Sequence, residues 1–350
     1  MSFQLPPIIR PHNADLQRRL QSLMDNKTKP LGSLGRIEAL AIQIGMVLGT
    51  DCPVLEQPQL LVFAGDHGLT RQGVSAYPSD VTWQMVENFL AGGAAISVLA
   101  RQHGLHLGVV DCGVQHDFTP RPGLYIRKVG YGTANSFEMP AMSNSQCELA
   151  MGNGMELAAS LPGNVLLLGE MGIGNTSAAA LLMASITRRD IAECTGAGTG
   201  LSTQGVQHKT HVLRQVLQRH QDAATPIDML AAMGGFEIAT MVGAVLKAAS
   251  QRRVVVVDGF IATAAVLVAH ALQPNVLPYC VFAHQSSEHG HRMLLNHLGA
   301  QPLLDLNMRL GEGTGAAMAW PLLVSACMLL RDMASFDSAG VSRAGVSMQG

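Results

Sequence analysis

The chain has 350 residues, of which 48% are hydrophobic and only 14% are charged. This composition excludes an intrinsically disordered protein and supplies enough apolar material for a large core. A formal net charge of -2, with no long basic run, argues against a nucleic-acid-binding protein. Six scattered cysteines without a C-x-x-C pair argue against a disulfide framework and favour a reducing cytoplasm.

Neither a signal peptide nor a membrane span is expected. The N-terminal segment lacks a basic stretch followed by an apolar one. The most apolar tract, residues 316–330, is shorter than a membrane span of roughly 20 residues and contains Pro321. We therefore expect a core helix there, followed by a mobile tail over residues 341–350.

Two helices are predicted at the N-terminus. Asn13 is expected to cap the first helix and Ser33 the second. The loop between them carries Lys27, Lys29 and Arg36 among flexible glycines. The sequence leaves two alternatives for this loop, an anion-binding site or an exposed turn.

Short apolar runs that alternate with helical segments predict a parallel β-sheet covered by helices, an α/β fold. The runs are residues 59–64, 108–113, 164–168, 253–257 and 279–283, and one of the helices is predicted over residues 82–99. Ligands lie beyond the carboxyl ends of such strands, so Asp66, His67 and Ser286 are candidate site residues. Turn capping is the alternative role for Asp66 and His67. The spacing of the cysteine and histidines around Ser286 fits no metal motif, and no metal is expected.

The glycine-rich segment after the strand at residues 164–168 gives the strongest physical signal. It reads Gly169-Glu170-Met171-Gly172-Ile173-Gly174-Asn175-Thr176 and leads into a helix of small residues, residues 178–186. Backbone N–H groups at such a helix start favour phosphate. The P-loop and dinucleotide fingerprints are both absent. We predict a phosphate or nucleotide site here, with a plain tight turn as the alternative, and Lys209 is a cation that could reach the anion.

A second glycine-rich stretch precedes the apolar tract of residues 316–330. It reads Arg309-Leu310-Gly311-Glu312-Gly313-Thr314-Gly315. A carboxylate between glycines at the mouth of an apolar helix is poorly solvated, which raises its pKa and suits a general base. The alternative is a glycine-rich turn in which the helix dipole stabilises Glu312.

Five motifs in this order resemble the nicotinate-nucleotide–dimethylbenzimidazole phosphoribosyltransferase family. They are residues 29–36, 64–68, 169–176, 257–260 and 309–315. The resemblance runs from about residue 15 to residue 335. It implies a Rossmann-like parallel sheet flanked by helices, formed by residues 51–315. It also implies a small helical domain built from residues 1–50 and 316–340, and a homodimer.

The resemblance implies the reaction as well. Nicotinate mononucleotide and 5,6-dimethylbenzimidazole would give α-ribazole 5′-phosphate and nicotinate, with inversion and without a cofactor, for the lower ligand of cobalamin. Glu312 matches the general base of the family, and Glu170 matches a second active-site carboxylate. Phosphate and ribose are assigned to Gly172, Gly174, Asn175, Thr176, Lys209, Arg309, Gly311 and Gly313. The base pocket is assigned to Asp66, His67, Tyr77, Gln84, Met85, Asp258, Ser286 and Leu310.

One stretch departs from the family pattern. Members tend to carry Ser-Pro and later a Gln after the Asp-His-Gly motif, whereas this chain has Tyr77-Pro78 and places Met85 at the Gln position, beside Gln84. Adenine, other benzimidazoles and phenols therefore stay open as acceptor bases. Two further alternatives are a dehydrogenase, which the missing fingerprint disfavours, and a catalytically inactive nucleotide-binding regulator, which Glu312 disfavours.

Overall fold

The computed structural model describes residues 3–342 and contains one parallel sheet of six strands. The strands are β1 (Gln59–Gly65), β2 (His106–Gly113), β3 (Leu124–Ile126), β4 (Val165–Met171), β5 (Val254–Val257) and β6 (Cys280–Phe282). Their order is β3-β2-β1-β4-β5-β6, which confirms the Rossmann-like α/β prediction. The order reverses between β1 and β4, and such a switch point opens a crevice beyond the carboxyl ends of the strands.

Helices cover both faces of the sheet. They are α1 (Ala14–Asp25), α2 (Arg36–Leu48), α3 (Asp80–Ala91), α4 (Ala95–His103), α5 (Asn144–Ser160), α6 (Asn175–Thr187), α7 (Ile191–Cys194), α8 (Thr203–Arg219), α9 (Pro226–Met233), α10 (Phe236–Ser250), α11 (Phe260–Leu272), α12 (His291–His297), α13 (Thr314–Asp332) and α14 (Phe336–Ala339). Short 3-10 segments span Gly68–Gln72 and Pro274–Tyr279.

Burial explains why the sheet strands read as continuous apolar runs. Every residue of β1 and of β5 is buried, as expected for strands with helices on both faces. Behind them α5 and α10 approach closely at Gly154 and Gly243. A Cβ at Gly154 would collide with the carbonyl oxygen of Thr240, so the close contact depends on the glycine.

The two ends of the chain lie side by side. Lys27 and Ser335 form an antiparallel bridge, and the Thr28 N–H donates to the Ala334 carbonyl at 3.1 Å. Helix α13 packs against α2 and α4. One continuous apolar core nevertheless joins these helices to the sheet, so the division into a small and a large domain stays a prediction.

The predicted core helix over residues 316–330 is part of α13. In the part of the chain that the structure describes, α13 alone has the length and apolar composition that a bilayer crossing requires, and 56% of its apolar window is buried inside the protein. The predicted mobile tail falls mostly on residues 343–350, which lie outside the described residues.

Asn13 caps α1 as predicted, but Ser33 does not cap α2. The N-cap of α2 is Gly35, with φ +55° and no side-chain bond. The cations of the preceding loop are engaged in structural contacts. Lys29 pairs with Glu38 at 2.8 Å, and Arg36 donates to backbone carbonyls at residues 301 and 302. The loop is therefore a buried tether rather than either predicted alternative.

Two helix predictions are wrong in their bounds. The single helix over residues 82–99 is broken into α3 and α4, because Gly92 ends α3 in the left-handed region at φ +82°. The small-residue helix starts at Asn175 instead of residue 178, since Gly174 already takes the N-cap position.

Candidate active site

A cavity of about 500 Å³ lies beyond the carboxyl ends of β4, β5 and β6. Four groups of residues meet there: the turn before α6, the loop at residues 198–199, the start of α11, and the segments after β6 and before α13. Nine residues predicted from sequence line it, namely Tyr77, Glu170, Gly172, Asn175, Thr176, Ser286, Arg309, Leu310 and Gly311. The cavity volume is within the range of small-molecule sites.

The start of α6 forms one wall of the cavity. Its N-cap is Gly174, at φ +94°, and no side chain caps the helix. A Cβ at Gly174 would lie 2.7 Å from the Thr70 methyl carbon, so only glycine fits the turn. The first-turn N–H groups of the helix, which no side chain caps, together with the positive end of its dipole, make this wall suited to an anion.

Lys209 braces that wall from behind. It is fully buried on α8 and does not line the cavity. Its Nζ donates to Thr176 Oγ1 at 2.9 Å and to the Gly196 carbonyl at 3.4 Å. Burial lowers the pKa of Lys209 to about 8, although Glu288 opposes the shift. The lysine therefore acts on the cavity through Thr176.

Glu170 stands at the end of β4 in the cavity wall. Burial raises its pKa to about 8, and the neighbouring carboxylates of Asp258 and Glu237 raise it further. The Asn175 side-chain amide donates to Oε2 and opposes the shift. A side chain at Gly311 would collide with Oε1, so Gly311 gives the carboxyl its room.

Glu312 lies directly behind the lining residue Gly311 and is itself 5% exposed. Burial, followed by the charge of Asp258, raises its pKa to about 7. Its φ is +63°, and Gly311 and Gly313 on either side are at +79° and +84°. A carboxyl that is half ionised near pH 7 suits a general base, provided that a ligand or a small movement brings the two into contact.

Arg309 and Glu288 supply charge on the opposite wall. Arg309 Nη1 donates to the Gly198 carbonyl at 3.0 Å, which ties the loop at residues 198–199 to the stretch before α13. Burial raises the pKa of Glu288, while Lys209 and Arg309 both act to lower it. This wall therefore holds a balanced set of charges at the cavity surface.

A neutral histidine fixes the segment after β6. His291 Nδ1 accepts from the Ser286 N–H at 2.8 Å, so its Nε2 carries the hydrogen and donates to Thr263 Oγ1 at 2.9 Å. Burial lowers the pKa of His291 to about 3. Within residues 3–342, no cluster of three or more His, Cys, Asp or Glu side chains is arranged to hold a metal ion.

Two predicted residues lie behind the phosphate wall instead of in the cavity. His67 Nε2 and Glu237 Oε1 are 2.6 Å apart, in a fully buried pair. Burial opposes the charged imidazole, but the carboxylates of Glu237 and Asp66 hold the pKa of His67 above its ordinary value. A Cβ at Gly172 would lie 3.5 Å from His67 Nε2, so the pair backs the turn. Asp66 accepts from the Gln115 N–H at 2.8 Å.

The other predicted residues divide between the cavity mouth and its surroundings. Tyr77 and Leu310 are more than half exposed at the mouth. Gln84 and Met85, on α3, do not line the cavity. Asp258, Gly174 and Gly313 also lie outside the lining and shape it through the backbone.

Some lining residues were missed. Phe260 and Ile261 line the cavity from the start of α11, and Thr199 lines it from a loop. The strand that ends at Val257 was predicted, and following it into the next helix would have found the first two. Nothing in the local sequence marks Thr199, because its place depends on the Arg309 bond to the neighbouring Gly198.

Comparisons with known proteins agree on one family. A family model described as Phosphoribosyltransferase matches residues 9–341. A nicotinate-nucleotide–dimethylbenzimidazole phosphoribosyltransferase of Variovorax paradoxus is 64% identical over 97% of both chains, and one from Janthinobacterium sp. is 54% identical over 96% of this chain and 98% of that protein. The crystal structure of CobT from Thermus thermophilus superposes with a TM-score of 0.91 at 39% identity, covering 94% of this chain and all of that one.

Proposed function

The chain belongs to the nicotinate-nucleotide–dimethylbenzimidazole phosphoribosyltransferase family, and on that premise we propose how its cavity performs the transfer. The donor is nicotinate mononucleotide and the acceptor is 5,6-dimethylbenzimidazole. The products are nicotinate and α-ribazole 5′-phosphate, the precursor of the lower ligand of cobalamin. The anomeric carbon is inverted, so the acceptor nitrogen displaces nicotinate directly.

The 5′-phosphate of the donor binds at the start of α6. The helix has no side-chain cap, and Gly172 and Gly174 leave its backbone open to a ligand. Thr176 adds a hydroxyl that Lys209 holds in place. Arg309, in the opposite wall, supplies a positive charge to the same cavity.

Glu170 stabilises the ribosyl cation that forms as the glycosidic bond breaks. In the free enzyme its carboxyl retains a proton at pH 7, because its pKa is raised to about 8. The positively charged pyridinium of the donor favours the ionised form, which then faces the growing positive charge on the ribose. Nicotinate leaves as a neutral pyridine carboxylate, so the leaving group needs no strong acid.

Glu312 accepts the proton that the benzimidazole loses as its other nitrogen attacks. The observation that carries this proposal is the position of Glu312 behind Gly311, with a pKa raised to about 7. At that pKa a substantial fraction of the carboxylate is ionised at neutral pH and ready to take a proton.

Glu312→Gln tests the assignment. We expect the variant to keep the fold and to lose transfer activity by roughly 100-fold or more, because the amide cannot accept the proton. Formation of α-ribazole 5′-phosphate is followed by chromatography with both substrates saturating. Exposed Glu156 on α5 gives the matched control, since Glu156→Gln changes the same group outside the cavity. Near-wild-type turnover of Glu312→Gln would remove Glu312 from the mechanism.

Transfer to another base is the second candidate. Tyr77 lines the cavity where the family tends to have serine, and neither Gln84 nor Met85 reaches the lining. The slot for the base therefore differs from the family pattern. A competition assay that offers dimethylbenzimidazole, adenine and a phenol in equal amounts, and resolves the α-ribotides formed, identifies the preferred acceptor.

We also propose that the enzyme works as a cytoplasmic homodimer. All six cysteines are free thiols and five of them are buried, which suits a reducing compartment. Large apolar side chains stand exposed at Ile9, Leu31 and Tyr131, and a second copy of the chain would offer a surface to cover them.

A further inference from the structure

Asp258 directs both of its carboxylate oxygens at the beginning of α13. It follows β5 and is 1% exposed. Oδ2 accepts from the Gly313 N–H at 3.1 Å, and Oδ1 accepts from the Ala316 N–H at 3.0 Å. The N-cap residue of α13 is Gly313, which has no side chain to offer. A carboxylate from a different strand therefore satisfies the first turn of this helix.

The peptide that Asp258 holds is the one that follows Glu312. Three successive residues, Gly311, Glu312 and Gly313, are in the left-handed region. Glycine adopts this conformation freely, whereas a residue with a Cβ does so at a cost of roughly 1 kcal/mol. Glu312 therefore needs an external contact to keep its backbone in place.

The backbone of Glu312 is confined from its other side by β4. A Cβ at Gly169 would lie 2.6 Å from the Glu312 carbonyl oxygen, so the strand and the loop are in backbone contact. Gly313 likewise lies against the Leu168 carbonyl and the Gly169 Cα. The loop is thus held between the end of β4 and the carboxylate that follows β5.

We propose that Asp258 is a positioning residue of the transfer reaction, whose two bonds to the start of α13 hold Glu312 in its left-handed conformation at the cavity. This inference rests on the proposed function, in which Glu312 is the proton acceptor. Asp258 does not line the cavity, so it acts through Glu312 and not on the substrate. A displacement of about 1 Å of a reacting group can cost roughly 100-fold in rate.

The charge of Asp258 gives the proposal a second readout. The titratable groups that surround it are Glu312 itself, Glu170 at the end of β4, and His284 after β6, whose Nε2 is 3.6 Å from Oδ1. Burial and then Asp258 raise the pKa of Glu312. Removal of that negative charge makes Glu312 easier to ionise, so the acid limb of the rate profile shifts to lower pH.

Asp258→Asn is the primary test. The amide keeps one acceptor but turns a donor toward one of the two N–H groups, and it removes the charge. We expect kcat to fall roughly tenfold or more while KM for nicotinate mononucleotide changes by less than about threefold, with the acid limb of kcat at lower pH. Asp258→Ser, which has no amide donor, is measured beside it, because it also lacks the charge and should shift the limb in the same direction.

Glu38→Gln is the matched control. Glu38 is also a buried carboxylate that accepts a backbone N–H, from Leu34 at 2.9 Å, but it lies outside the cavity. Its substitution lowers the melting temperature without moving kcat or the acid limb. His284→Gln is included as well, because His284 lines the cavity and faces Asp258. An acid limb that disappears in His284→Gln belongs to the histidine and overturns the proposal.

The outcomes separate this inference from the proposed function. If Glu312→Gln retains turnover, the base is assigned wrongly and the role of Asp258 fails with it. If Glu312→Gln is inactive but Asp258→Asn keeps wild-type kcat and acid limb, the positioning role alone is overturned. In the double variant, Asp258→Asn should add little to the loss already caused by Glu312→Gln. If neither Asp258 variant folds, Asp258 is a structural residue and the proposal is rejected.

Discussion

Glu170 and Glu312 are two carboxyls of one cavity with different surroundings. The pKa of Glu170 is raised to about 8 by burial and by several neighbouring carboxylates, whereas the pKa of Glu312 is raised to about 7 by burial and Asp258. The sequence indicated a poorly solvated carboxyl at Glu312, because glycines and an apolar helix surround it. It offered no physical signal for the shift at Glu170, which depends on acids from other strands that meet only in the fold.

The raised pKa of Glu170 makes stability depend on pH. The native carboxyl holds a proton that the unfolded chain releases above about pH 4.5, so the native state loses stability as pH rises from there through about 8. We expect Glu170→Gln, which has no proton to lose, to gain on the order of 2 kcal/mol relative to wild type between about pH 5 and about pH 8.5. Urea unfolding at the two pH values measures the change.

The control for this pH effect is Glu156→Gln, which replaces an exposed carboxyl on α5. Its difference from wild type should stay constant across the same range. A constant difference for Glu170→Gln as well would show that the Glu170 carboxyl is not destabilised by its buried position.

At the scale of elements, periodicity and strand composition were sufficient for the sheet. The runs at β1, β4 and β5 were predicted within three residues at each end, because strands buried on both faces are continuously apolar. Boundaries set by backbone conformation were harder. Ser33 is a good capping residue by type, yet Gly35 takes the N-cap of α2. The helix over residues 82–99 was predicted as one because Gly92 and Gly93 do not interrupt the apolar pattern.

The turn before α6 gives a prediction at this scale. Gly174→Ala places a Cβ at φ +94° and 2.7 Å from the Thr70 methyl carbon, so the turn must shift. We expect KM for nicotinate mononucleotide to rise roughly tenfold, because the phosphate binds at this turn, with about 1–2 kcal/mol lost in stability. Steady-state kinetics and thermal unfolding measure the two effects.

Gly152→Ala is the matched control for Gly174→Ala. Gly152 lies inside α5 and a Cβ there meets no atom within 4 Å. Alanine should stabilise that helix by about 0.5–1 kcal/mol and leave KM unchanged. A Gly174→Ala enzyme with wild-type KM would place the phosphate away from the turn.

At the scale of the whole molecule, the structure joins both chain ends to the sheet through buried polar contacts. Lys29 and Glu38 form an ion pair next to α2, and Lys27 Nζ donates to the Met333 carbonyl at 2.6 Å. The sequence indicated exposed or anion-binding lysines, because lysine is seldom buried without a partner. The partners lie far along the chain in one case and on the following helix in the other, and local reading cannot find them.

The homodimer is the prediction that belongs to this scale. We expect sedimentation velocity to give twice the mass of a single chain at every concentration used in the assay, because a stable interface does not dissociate on dilution to that range. A reference protein of known single-chain mass, run beside it, calibrates the frictional ratio. A species of single-chain mass that is fully active would contradict the dimer as the working unit.

The bond from Lys209 to Thr176 sets the direction of a hydrogen at the donor site. Lys209 Nζ fills a lone pair of the Thr176 hydroxyl, so the hydroxyl hydrogen is left to point toward the cavity. A phosphate ester with a second ionisation near pH 6 can accept that hydrogen best as the dianion. Thr176 therefore discriminates between two protonation states of the same nucleotide, and donor affinity should follow the second ionisation of its phosphate.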